Sequence, residues 1–126
     1  MPFHVSQERF DAVVREALDS LPPQIAAHVA DIPVIIQHRP TPRQLEEAGL
    51  EPDELLLGLY VGQALTERSV SDPAALPPQI FIFKEDCELV SESEDQLRSE
   101  IRTTVLHEIG HHFGLDEDDL EELGFG

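Results

Sequence analysis

Cys87 is the only cysteine among 126 residues, which excludes an intrachain disulfide and any zinc cluster built on several thiolates. In a predicted strand-to-loop region with no base partner near it in sequence, it reads as a small structural residue, not a nucleophile. Basic residues are scarce too. Eight Lys and Arg face 26 Asp and Glu, for a formal charge of -18. So negative a surface repels phosphate backbones and anionic membranes, and neither nucleic acid nor membrane is an expected partner. No apolar stretch approaches the roughly 20 residues that a spanning helix needs. The start, Met1-Pro2-Phe3-His4, lacks a basic segment followed by an apolar run, so no signal peptide is expected and the expected location is cytoplasmic.

The 40% hydrophobic and 27% charged content is that of an ordinary globular chain, and 126 residues make one domain, 1–126. Residues 6–20 follow a helical period, with Phe10, Val13, Val14, Ala17, Leu18 and Leu21 on one face and Ser6 as N-cap. Pro22-Pro23 ends that helix and starts a short second one. Residues 32–38 read as a strand. Thr41 caps a short helix that has Pro42 at its first position and stops at Gly49. Residues 55–62 and 79–83 read as further strands, separated by a Pro-containing surface loop. From about Glu94 a long half-buried helix begins, patterned by Leu97, Ile101, Thr104, Val105, Leu106, Ile109 and Phe113 and ending at Gly114. Asp116 caps a last short helix. Helices, a few strands, then helices predict an α+β domain with a small mixed twisted sheet.

The chemistry is concentrated near the end of the chain. His107-Glu108-Ile109-Gly110-His111 is an H-E-x-x-H pattern on the long helix. Two histidines four apart project from one side of a helix, a turn apart, so both rings can reach one tetrahedral zinc. The intervening glutamate lies within reach of the water on that zinc and can take its proton. His107 and His111 are therefore the candidate ligands, and Glu108 the candidate catalytic base. A catalytic zinc takes a third protein ligand and keeps one position open. Reading on gives H-E-x-x-H-x-x-G-x-x-E, in which Gly114 provides the turn that returns the chain. Glu117 then falls at the third-ligand position, with Asp118 and Asp116 as neighbours that could substitute. His112 is about 100° around the helix from His111 and reads as an outer or surface residue. An EF-hand is excluded, since its ligand ladder and mid-loop glycine are missing.

Across nearly its whole length the chain resembles the small bacterial zincin-like metallopeptidases. The resembling residues run from Leu57-Gly58-Leu59-Tyr60-Val61-Gly62 through Gln79-Ile80-Phe81-Ile82-Phe83 to His107-Glu108-Ile109-Gly110-His111-His112-Phe113-Gly114. The resemblance implies a minimal zincin-like fold with a long active-site helix, one zinc ion, and a peptide or protein substrate. The family's third ligand is commonly aspartate, whereas this chain has Glu117. Met1 is its only methionine, so the methionine turn beneath the zinc of metzincins is absent. Candidates for stabilising the oxyanion are Tyr60, Arg68 and His112. The strand at 79–83 is read two ways, as an edge strand pairing with an extended peptide or as a core strand. Two other functions compete: a non-catalytic zinc-binding or regulatory protein, and an acidic protein that binds basic partners through its charge.

Overall fold

The computed structural model describes residues 3–62 and 78–112, apart from the side chains of His28, His111 and His112. Among these residues five helices and three strands follow in the order α1 (Gln7–Asp19), α2 (Pro23–Val29), β1 (Val34–Gln37), α3 (Pro42–Glu47), β2 (Gly58–Val61), β3 (Gln79–Phe83), α4 (Lys84–Leu89) and α5 (Glu94–His112). The α+β expectation holds. Most local signals act as their chemistry requires. Ser6 Oγ accepts from the Arg9 amide and caps α1. Thr41 and Gln44 form a reciprocal capping box at α3, with Pro42 in the first turn. Gly49 follows α3 at φ 76°, a left-handed conformation that glycine adopts without side-chain penalty.

The sheet has strand order β1-β3-β2, β1 parallel to β3 and β2 antiparallel to it. It is therefore mixed, and β3 is its central strand. That settles one ambiguity against the edge-strand reading of residues 79–83. Apolar residues on both sides of β3 serve two covered faces: Ile80, Ile82 and Phe83 are fully buried. On one face Ile80 and Ile82 join a core with Phe10, Val13 and Ala17 of α1 and Leu97, Ile101, Val105 and Ile109 of α5. The α5 residues recur every four positions and form one stripe, each burial contributing about 1.5–3 kcal/mol. On the other face Gln37 exchanges hydrogen bonds with Gln44 of α3.

The acidic stretch after β3 departs from expectation. Residues expected in a strand-to-loop region form α4, with Asp86, Cys87 and Glu88 buried. Each buried acid has partners that reward it. Asp86 Oδ2 accepts from the Leu56 amide at 2.9 Å, and Oδ1 lies 3.7 Å from Arg39 Nε. Glu88 takes the Val5 amide at 2.8 Å and Lys84 Nζ at 3.1 Å, with His4 Nδ1 at 3.3 Å. These contacts tie the start of the chain to the helix after the central strand. No helix among the described residues is long and apolar enough to cross a membrane.

Candidate metal centre

Helix α5 is continuous from Glu94 to His112, so the backbone of the H-E-x-x-H segment is helical throughout. Its buried stripe, Leu97 to Ile109, anchors it beneath the sheet. Thr104, His107 and Glu108 lie on a neighbouring stripe, at relative positions i, i+3 and i+4, and position 111 continues it by helical spacing. His107 is exposed, whereas Thr104 and Glu108 are half-buried. The graded burial follows from α5 packing along β2. Thr104 and Glu108 meet the strand, and His107 stands clear of it.

Glu108 is held at a definite place. Its Oε2 accepts a hydrogen bond from the backbone amide of Tyr60, at 3.2 Å. Just before β2, Leu57 O accepts from Phe83 N at 3.0 Å. Alternation along an antiparallel pair then directs the N–H groups of Gly58 and Tyr60 away from β3. The Tyr60 amide thus reaches Glu108 from the side of β2 that faces away from β3. This partner was not foreseen from sequence. Every residue but proline carries an amide, so only the fold says which one is presented.

The other candidates divide. Tyr60 is placed beside Glu108 through its backbone, and its half-buried side chain packs against the core. Glu117, Asp116, Asp118 and Arg68 lie outside the described residues, as do the side chains of His111 and His112. Two of the three candidate ligands are therefore not described, and the described residues hold no group of three metal-capable side chains. The remaining donor chemistry suits zinc: an exposed imidazole on a regular helix, with a second histidine position one turn on.

Other histidines belong elsewhere. His4 sits against Glu88, and His38 Nε2 lies 3.1 Å from Glu85 Oε2. Cys87 is fully buried, its Sγ–H directed at Leu57 O. Burial foremost, with the nearby charges of Asp86, Glu100 and Glu88, pushes its thiol up to about 12. A buried thiol held protonated is a poor nucleophile, and Cys87 packs as a structural residue.

Comparison with known proteins points the same way. The family described as zincin-like metallopeptidase matches residues 29–126. Among solved structures, a conserved hypothetical protein from Thermo thermophilus is similar at 20% identity and a TM-score of 0.54. The match covers 94% of this chain and 97% of that one, a likeness of fold. None of the curated proteins matches.

Proposed function

The chain belongs to the zincin-like metallopeptidase family, and from that premise we propose that it is a zinc-dependent peptidase acting in the cytoplasm. The observation that carries the reading is the H-E-x-x-H segment on helix α5, within the matched region, with its glutamate held by the Tyr60 amide of β2. His107, His111 and Glu117 would hold the metal. When bound, zinc supplies a Lewis acid that polarises a peptide carbonyl and lowers the pKa of a coordinated water toward about 7. Glu108 takes the proton of the attacking water and delivers it to the departing amine. The substrate is a peptide or protein.

The test is the zinc content of the chain purified without chelator, beside its His111→Ala variant, followed by peptide-library cleavage. One equivalent of zinc, lost in the variant, together with cleavage that Glu108→Gln abolishes, supports the proposal. Cleavage by Glu108→Gln at a rate close to the parent's overturns it. The charge of -18 favours a second reading, an acidic zinc protein that binds basic partners without turnover. Partner binding that survives chelation, with no cleavage, would select that reading.

A further inference from the structure

Helix α5 and strand β2 touch at two successive points. An added Cβ on Gly58 would lie 2.7 Å from Thr104 Cγ2 and 3.0 Å from Phe81 O, so strand and helix approach there as closely as a residue without a side chain allows. Two residues along the strand, the Tyr60 amide meets Glu108 Oε2, four residues along the helix. Two strand residues rise about 6.7 Å and four helical residues about 6 Å. The contacts therefore keep step, with strand and helix ascending together. Gly58 does not have the positive φ found at Gly49 and Gly62. Its lack of a side chain is used for close approach and not for backbone conformation.

We infer that the Gly58–Thr104 contact is the positioning element for Glu108: it sets the strand-to-helix spacing at which the Tyr60 amide holds the carboxylate. At 3.2 Å the bond is already at the long end of N–H···O distances. A Cβ at position 58 would press on the Thr104 methyl at 2.7 Å and on the Phe81 carbonyl at 3.0 Å, and any parting of β2 from α5 that relieves this lengthens a bond with little distance to spare. Gly58 and Tyr60 thus act on the reaction through Glu108. The inference deepens the peptidase reading and rests on Glu108 being the base.

The experiment is two-dimensional amide NMR and hydrogen exchange on the full, metal-free chain. An amide donating to a carboxylate has a downfield proton and exchanges slowly. Glu108→Ala is expected to shift the Tyr60 amide upfield and speed its exchange about tenfold or more, whereas Glu108→Gln, which keeps an acceptor oxygen, preserves most of the protection. Gly58→Ala is expected to reproduce the loss. Gly58→Ala combined with Thr104→Ser, which removes Cγ2, restores protection at least in part. A Tyr60 amide indifferent to Glu108→Ala, or to Gly58→Ala in a folded chain, overturns the inference. If Gly58→Ala alone fails to fold, Gly58→Ala with Thr104→Ser takes its place: a protected Tyr60 amide in that double variant supports the inference, and a lost one overturns it. An intact amide signature in a chain whose Glu108→Gln variant cleaves peptide at a rate close to the parent's would sink the peptidase mechanism and leave the geometry standing. A missing signature would sink the geometry and leave the mechanism.

Discussion

The amide of Tyr60 and the carboxylate of Glu108 meet at 3.2 Å across 48 positions of sequence, tying the proposed base to strand β2. Glutamine at position 108 keeps an acceptor for that amide and loses only the ability to take a proton. Glu108→Gln is therefore expected to unfold within a degree or two of the parent and retain zinc. Its peptide hydrolysis falls by about 10²–10⁴. Thermal melts, metal analysis and turnover on a single cleaved peptide check the three parts separately.

Glu88 supports a prediction about acid. Burial alone would raise its pKa, but the Val5 amide, Lys84 and His4 outweigh burial and hold it below the ordinary glutamate range. A depressed folded-state pKa stabilises the fold above the unfolded-state value, and the stability is lost as pH falls through the folded value. Stability should thus decline as pH drops below about 4.3. Glu88→Gln should flatten that decline and cost about 2 kcal/mol at neutral pH through the lost charged hydrogen bonds. Urea melts across pH 3–7 measure both; a variant with the parent's acid limb would contradict the assignment.

Glu88 also marks where local patterns stop informing. The α1 cap at Ser6, the α3 cap at Thr41, and the spacing of Leu97, Ile101, Val105 and Ile109 are short-range signals, and all were legible; the return bond from Gln44 to the Thr41 amide appears only in the structure. Helix α4 was not, because Glu85, Asp86 and Glu88 look like solvated acids. The partners of the two that are buried, Val5 for Glu88 and Leu56 for Asp86, are 83 and 30 residues away. The central place of β3 depends on pairing with β1 and β2, which apolar alternation cannot order. At the site, spacing singled out His107, Glu108 and position 111. The Tyr60 amide had no signature in sequence.

Cys87 should be inert while the chain is folded. With the thiol raised to about 12 and the side chain fully buried, scarcely any thiolate exists at pH 8 and no reagent has a path to it. Ellman's reagent should find no reactive thiol in the native chain and one in denaturant. Cys87→Ala should leave zinc binding and turnover intact. Rapid native labelling would mean that α4 opens readily.

Thr41 gives a purely local test. Its Oγ1 accepts the Gln44 amide at 3.1 Å, and the Gln44 side chain returns a bond to the Thr41 amide at 2.8 Å. Thr41→Ala leaves the first-turn amide to water and should cost about 1 kcal/mol. Because α3 lies apart from Glu108, the loss should appear in denaturant midpoint without change in zinc affinity.

The third ligand is the choice that sequence left among three adjacent acids, and zinc linkage can make it. A metal bound only by the folded chain stabilises it by about 2.7 kcal/mol at a hundredfold excess over Kd, a rise of several degrees in melting temperature for a domain of this size. That rise should vanish in His107→Ala and in His111→Ala. Among Asp116→Ala, Glu117→Ala and Asp118→Ala, only one should lose it, and H-E-x-x-H-x-x-G-x-x-E places the loss at Glu117. Because each variant also removes one negative charge, the two unaffected variants control for the general field of an acidic chain. Equal, partial losses in all three would mean that the carboxylates attract the cation collectively, and that a residue beyond this acidic run closes the site.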